Sequence, residues 1–417
     1  MQNSKFPRQG RTWEEIRAEM LEARGEDLPW VAQRSFKPAY YAGDEVVEIA
    51  NQAYQMYITD NALYAHSAFP SLHRYETDVV GMVLELLNAP PEAGGSLSTG
   101  GTESNFMAVK TARDWAKDHL AGATRPNMVV PRTAHPSFDK AAQMLGVEVV
   151  RVANSPEFKA DVAAMSDAID DNTIMIVASA PPYPYGETDP VEAVAALAQE
   201  HGLWLHVDGC LGGFILPFAR EIDDTIPPFD FAVAGVTSMS SDIHKYGYAA
   251  KGISALVLRD AELERYQRST FDDWPSGLYS TANVSGSRSG GALASAWAVM
   301  NHLGWQGYMD VVQLHTDIRE RFIAGINSID SMYVLAKPHA YNFAFASTEL
   351  DMFAVADGMI ERGWTLGRAN EPASVQLMIN RAHEPIVETF VAQLGDVATG
   401  VRTGRIVARD GEAIYAT

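Results

Sequence analysis

Three short stretches carry residues whose types and spacing could do chemistry. The first is Ser98-Thr99-Gly100-Gly101-Thr102-Glu103-Ser104, which runs into a helical pattern over Asn105–Lys117. Glycines followed by hydroxyls at a helix start suit an anion: the backbone can come close, the first N–H groups are free, and the helix dipole favours negative charge. The same residues also read as a plain cap with Thr102 at the N-cap, and they are neither a G-x-G-x-x-G fingerprint nor a P-loop. The second stretch, Leu205-His206-Val207-Asp208-Gly209-Cys210, is an apolar strand ending on an acid. Ligands in open α/β sheets bind beyond the carboxyl ends of the strands, so Asp208 stands where a functional acid would stand; an Asx-turn is the alternative. The third is Asp242-Ile243-His244-Lys245-Tyr246-Gly247-Tyr248, with Lys251 and Gly252 close behind. A lysine among histidine, aromatics and glycine is expected to be partly desolvated, with a lowered pKa and a nucleophilic amine. A surface loop with two lysines is the simpler reading.

Taken together, the three fit one cofactor. Pyridoxal phosphate needs a lysine for a Schiff base, an acid for its ring nitrogen, a phosphate cup at a helix start and a group stacked on its ring. Lys245, Asp208 and Gly101–Ser104 supply the first three. His135, in Ala134-His135-Pro136-Ser137 after the apolar run Met128–Pro131, is the candidate for the fourth.

These residues need a frame, and the hydrophobic pattern describes one. Apolar runs Met128–Pro131, Val147–Val152, Thr173–Ala178, Trp204–Val207, Phe231–Val236 and Ser254–Leu258 read as strands, with helical patterns Ser137–Leu145, Asp161–Ile169 and Pro190–His201 between several of them. Continuous apolar strands spaced by helices predict an α/β fold, a mostly parallel sheet with helices on both faces. Ahead of it, Thr12 and Glu15 fit a capping box opening a helix to Ala23, and a second amphipathic helix spans Asp44–Tyr57. Behind it, helices over Gly291–Leu303, Val311–Ile326, Asp351–Arg362 and Glu384–Arg402 mix with strand-like Tyr333–Ala336, Asn342–Ala346 and Val375–Ile379, a small α+β domain. The expected division is an N-terminal helical segment over 1–62, a large cofactor domain over 63–300 and a small domain over 301–417.

Composition narrows the partners. The 417 residues are 47% hydrophobic and 20% charged, ordinary for a globular protein, and the net charge of −21 disfavours both nucleic acid and anionic membrane. The only cysteine is Cys210, so no intrachain disulfide forms, and a reducing cytoplasm is the expected location. No apolar run approaches a membrane span, and the N-terminus lacks the apolar core of a secretory signal. No metal site is expected: there is no His-Glu-x-x-His, and His201 and His206 straddle a helix-to-strand junction. Ser287 lies outside a Gly-x-Ser-x-Gly frame, which argues against a serine hydrolase.

The chain resembles the sphingosine-1-phosphate lyase family within the pyridoxal-phosphate decarboxylases. The resemblance runs from about residue 12 to about 400 and is carried by Thr99–Ser104, His135–Ala142, His206–Gly213, Asp242–Gly252 and Gly286-Ser287-Arg288. It implies the aminotransferase-like fold type I and a homodimer with shared active sites. It also implies Lys245 as the Schiff-base lysine, Asp208 on the ring nitrogen, His135 over the ring, and Gly101, Thr102 and His244 on the phosphate, with Ser287 joining from the neighbouring subunit. Lys251 and Tyr183 match active-site positions of the family; Tyr41 does so with a spacing one residue off, next to Tyr40.

The activity implied is retro-aldol cleavage of a sphingoid-base-1-phosphate-like β-hydroxy amine to an aldehyde and phosphoethanolamine, within sphingolipid metabolism. Lys251, Tyr183 and Lys245 are then candidate proton carriers. Two departures stand out. The family's Asn-x-x-His ahead of its Phe-Pro is here Asn61, then Ala62, Leu63 and Tyr64, with His66 as the nearest histidine and one extra residue before Phe69-Pro70. That histidine helps hold the substrate phosphate, so Asn61, Tyr64 and His66 become substrate-binding candidates and the amine substrate is expected with or without a phosphate. Arg288 is a further candidate, or an interface ion-pair partner. The second departure is that the membrane anchor of eukaryotic members is not expected. The alternative activity is an L-amino-acid decarboxylase on the same scaffold; Lys251, six residues after Lys245, favours the lyase. A non-catalytic cofactor-binding protein is disfavoured because Lys245, Asp208 and His135 are all present.

Overall fold

The computed structural model describes residues 6–25, 27, 34–37, 39–120 and 122–409. Its central feature is a seven-stranded sheet of β1 (Gly94–Ser98), β2 (Asn127–Pro131), β3 (Glu148–Val152), β4 (Thr173–Ser179), β5 (Trp204–Asp208), β6 (Ser238–Ser241) and β7 (Ser254–Leu258) in the order β1-β7-β6-β5-β4-β2-β3. Strands β6, β5, β4, β2 and β3 are parallel, and β7 runs against both its neighbours. Alternate residues of the buried strands feed two cores. Met128, Val130, Met175 and Val177 pack against the helix Gly101–His119 and the helix Ser137–Leu145, while Val129, Ile176 and Ala178 pack on the other face with the helix Val191–His201. Both faces are covered, which is why these strands read as unbroken apolar runs.

Two strands escape that reading, and one predicted strand is not a strand. Phe231–Val236 forms turns. Phe231, Val233 and Val236 are buried, but their carbonyls are taken by the Arg259 guanidinium, Asp230 accepts from Ala232 N, and Gly235 has φ +99°. Burial here comes without ladder pairing. The strand in this place is β6, Ser-Met-Ser-Ser, two of whose hydroxyls are satisfied sideways: Ser238 Oγ accepts from Trp204 Nε1 at 2.8 Å, and Ser240 Oγ donates to Asp208. Strand β1 is equally cryptic because Gly95 leaves room only for itself; a Cβ there would sit 2.8 Å from Val257.

The capping box forms as expected, with Thr12 Oγ1 accepting from Glu15 N and Glu15 Oε2 accepting from Thr12 N, and it opens the helix Trp13–Arg24. The two long helices expected after the sheet lie in the segment Gly290–Asn327, separated by a kink at Gly304, whose φ of +55° and ψ of −173° are not helical. A two-stranded ribbon, β8 (Ser269–Phe271) and β9 (Tyr279–Thr281), precedes it. Beyond it, β10 (Met332–Val334), β11 (Asn342–Ser347), β12 (Gly367–Asn370) and β13 (Ala373–Met378) make an antiparallel sheet in the order β10-β11-β13-β12, joined by the helices Met352–Ile360 and Val387–Arg402. Among the described residues no helix is long and apolar enough to cross a membrane.

Candidate active site

Register places the site. Parallel pairing sets Ser179, Asp208 and Ser240 side by side at the carboxyl ends of β4, β5 and β6. A cavity of about 510 Å³ opens there, and Gly101, His135, Asp208, His244, Lys245 and Lys251 all line it. Three sequence stretches and His135, dispersed over more than 140 residues of chain, therefore meet where the fold predicts a ligand.

Asp208 is built to stay ionised. Its Oδ1 accepts from Cys210 N (3.0 Å) and Ser240 Oγ (3.2 Å), and its Oδ2 accepts from Asn105 Nδ2 (3.1 Å). Burial favours the neutral acid, but nearby His135, the Cys210 thiol, His206 and Lys245 together hold its pKa below the ordinary carboxylate value. Asn105 is the hub: it also donates to Ser137 Oγ and accepts, through Oδ1, from His206 Nε2. His206 is fully buried with its pKa pushed down to about 4 by burial, so it is a neutral prop beneath Asp208. His135 accepts at Nδ1 from Ser137 N (3.2 Å), which leaves the ring proton on Nε2, and burial lowers its pKa. These bonds fix a neutral ring at the cavity wall.

Lys245 departs from its expected state. Burial pulls it toward the neutral amine, but the Asp242 carboxylate, 2.9 Å from Nζ, outweighs burial and raises the pKa well above the ordinary lysine value. The lysine with the lowered pKa is Lys251, brought down to about 8 by burial and by the Lys245 charge. Its Nζ donates to His244 O at 2.8 Å and stands 4.3 Å over the Tyr40 ring. The tyrosine expected here was Tyr41. Tyr40 is the one that lines the cavity, because along an extended segment adjacent side chains point to opposite sides; Tyr41 instead donates to Asp44 at 2.8 Å. Tyr183 lines this cavity and an adjoining one of about 730 Å³.

The glycine turn is shaped for an occupant close to the backbone. A Cβ on Gly101 would lie 2.6 Å from Asp242 Oδ2 and 2.7 Å from Cys210 Sγ, and one on Gly100 would lie 3.1 Å from His244 Cε1. Thr102 lines the cavity beside them. His244 accepts at Nδ1 from Ile253 N, so its Nε2 carries the proton and is a donor on the cavity side. Free helix-start N–H groups, a neutral histidine donor, an ionised carboxylate, a walled imidazole and a contacting lysine are the donor set that pyridoxal phosphate requires, and the residues present fit it.

The remaining expected residues lie elsewhere in the chain. Asn61 fastens a loop: its Nδ2 donates to Ser287 Oγ at 2.9 Å, and its Oδ1 accepts from Leu63 N and Arg288 N. Arg288 donates to Leu97 O and, with His66, lines a separate cavity of about 450 Å³. His66 packs against His73 with ring centroids 3.9 Å apart, and Tyr64 is 52% exposed. Within one chain these residues are not brought to Lys245. One residue, Glu103, ties the two regions. Glu103 accepts through Oε2 from Thr99 N (2.7 Å) and Thr99 Oγ1 (2.6 Å), and through Oε1 from Val284 N (2.8 Å) and Ser285 N (2.9 Å). Asn105, Glu103, Asp242 and Tyr40 are given no role by the sequence reading; for Asn105 and Glu103 the signal is polar residues on the buried face of the helix Gly101–His119, and Asp242 and Tyr40 stand beside residues that the sequence picks out.

Fold and site define a pyridoxal-phosphate-dependent enzyme of the aminotransferase-like type. The family model described as the pyridoxal-dependent decarboxylase conserved domain matches residues 2–348. A glutamate decarboxylase from Lactobacillus brevis shares the fold, with a TM-score of 0.83 at 19% identity over 98% of this chain and 97% of its own. Closer in sequence is the sphingosine-1-phosphate lyase of Arabidopsis thaliana, 39% identical over 396 residues that make up 93% of this chain and 72% of the relative. A solved sphingosine-1-phosphate lyase from Burkholderia pseudomallei has a TM-score of 0.91 at 36% identity, covering 96% of this chain and 94% of its own. The chain belongs to the sphingosine-1-phosphate lyase family.

Proposed function

We propose that this lyase cleaves the Cα–Cβ bond of a β-hydroxy amine of the sphingoid-base-1-phosphate type, giving an aldehyde and phosphoethanolamine. When bound, pyridoxal phosphate supplies an electron sink for the bond broken at the amine-bearing carbon. Gly101, Thr102 and His244 would hold its phosphate, Asp208 its ring nitrogen and His135 its ring face, with Lys245 at its aldehyde carbon. The observation that carries the reading is Lys251: a second lysine in the same cavity, with a pKa near 8, can take the proton of the β-hydroxyl at neutral to mildly basic pH. Tyr183, at the junction with the adjoining cavity, is placed to steady the oxygen that becomes the aldehyde.

The decarboxylase alternative needs a cation for the substrate carboxylate. The arginines lining the adjoining cavity are engaged: Arg151 with Asp139, Arg368 with Asp357 and Arg132 with Glu371. A substrate phosphate would need a cation just as much, so the preference for the lyase rests on Lys251. We also propose a cytoplasmic homodimer in which the surface bearing Asn61, Tyr64, His66, Ser287 and Arg288 completes the partner's site. The division into residues 1–62, 63–300 and 301–417 remains part of this proposal.

A product assay tests the function. Cofactor-loaded protein offered a long-chain β-hydroxy amine phosphate should release aldehyde and phosphoethanolamine. Carbon dioxide from free amino acids, with no aldehyde from the phosphate, would establish the decarboxylase instead.

A further inference from the structure

Asp242 touches the lysine at the centre of the site. Its carboxylate is 3% exposed. Oδ2 lies 2.9 Å from Lys245 Nζ and 3.8 Å from His244 Nε2, while Oδ1 is buried with no hydrogen-bond partner. Both oxygens crowd the glycine turn, at 2.6 and 2.8 Å from where a Gly101 Cβ would be. The other ionisable groups lining the same cavity are His244 and Lys251 on its own loop, Cys210 and Asp208 at the end of β5, His135 after β2, Glu103 in the helix Gly101–His119, which already accepts four hydrogen bonds, and Tyr40 and Tyr183.

An ammonium has no lone pair and cannot attack an aldehyde, so Lys245 must lose a proton before it can capture the cofactor. Among the facing groups, Asp208 already accepts three hydrogen bonds that hold it ionised. His135 and His244 sit in surroundings that disfavour their charged forms. Lys251 carries the wrong charge. Asp242 is in contact and has an unused oxygen.

We propose that Asp242 is the proton acceptor that neutralises Lys245 during capture of pyridoxal phosphate. One proton passes from Lys245 Nζ to Asp242 Oδ2. The neutral amine adds to the aldehyde carbon, a C=N bond replaces C=O, and the oxygen leaves as water with the two remaining N–H protons. The pair starts as cation and anion and ends neutral, so no proton is released to solvent. The transfer also removes a negative charge from beside the Gly101 turn, where a phosphate dianion and an ionised Asp242 would repel.

The inference rests on the cofactor reading above, and the test separates the two. Apoprotein is mixed with pyridoxal phosphate, and growth of the visible band of the bound cofactor is followed from pH 7 to 9. The wild-type rate should be nearly flat, because the proton moves within the pair. In Asp242→Asn the proton must go to solvent, and the lysine pKa, freed of the Asp242 charge, moves down with burial; followed down to pH 5 as well, the rate should climb with pH until it passes that lower pKa and then level off. Asp242→Glu should restore the flat profile. Parallel profiles for wild type and Asp242→Asn would overturn the inference. Should the Asn variant not fold, an indicator dye in weakly buffered wild-type protein decides: release of one proton per site captured overturns it, and no release supports it. No band in wild type would instead overturn the cofactor reading.

Discussion

Replacing Glu103 with Gln should loosen the seam between the glycine turn and the loop that carries Ser287. The carboxylate accepts four hydrogen bonds, two on each oxygen. An amide has only one oxygen. If its NH₂ faces Val284 and Ser285, two N–H groups lose their acceptor. If it faces Thr99, the hydroxyl can turn to accept but Thr99 N–H cannot, so the second arrangement is the cheaper. The freed N–H belongs to Thr99, an exposed residue, and can turn to water, so its loss costs about 1 kcal/mol, and the other bonds fall from charge-assisted to neutral strength, about 1 kcal/mol each. Relief from burying a charge offsets part of this, leaving a loss of about 2–4 kcal/mol. That corresponds to about a 30- to 1,000-fold change in the local opening equilibrium.

Amide hydrogen exchange reads it directly. Protection at Thr99, or at Val284 and Ser285, should fall by that factor while β4 and β5 keep theirs. The pH sign is fixed too. Burial raises the Glu103 pKa, but the Thr99, Ser285 and Val284 donors outweigh it and hold the folded value below the ordinary one. The difference between wild type and variant is therefore full above the unfolded glutamate pKa and is lost as pH falls through the lower folded value. Unchanged exchange at all three amides near neutral pH would refute the reasoning.

Other outcomes follow from the same geometry. Gly101→Ala puts a methyl against Asp242 and Cys210; an overpacking cost of about 1–3 kcal/mol should raise the cofactor concentration needed for the visible band about 5- to 150-fold, and an unaltered titration would show that the turn has slack. In Lys251→Gln, kcat should fall about 10²- to 10⁴-fold and the rising pH limb near the lysine's pKa of about 8 should vanish; persistence of that limb assigns it to another group.

Much of the site was legible because its chemistry is local in sequence. A glycine turn before a helix, an acid at a strand end and a lysine between aromatics each keep their meaning in a short window. The large sheet was legible for a related reason: strands buried on both faces must be apolar throughout. What failed was whatever long-range hydrogen bonding decides. Ser238–Ser241 is a strand because Trp204, His206 and Asp208 satisfy the hydroxyls of Ser238 and Ser240 from β5, and Phe231–Val236 is not one because Arg259 occupies its carbonyls.

The sequence by itself determined the residue types, the order of the elements and so the class of chemistry. Tertiary structure decided the charge states and the partners. Lys245 was expected to be a desolvated, weakly basic amine, but the fold sets Asp242 2.9 Å away and keeps it an ammonium, while Lys251, pressed by burial and by that charge, becomes the weak base. Tyr40 rather than Tyr41 faces the cavity, and Asn105, unremarkable in a helix, braces Asp208 through a hydrogen bond spanning 103 residues. A carboxylate or an ammonium responds to the field of whatever lies within a few ångströms, and sequence spacing cannot say what that is until the chain has closed around it.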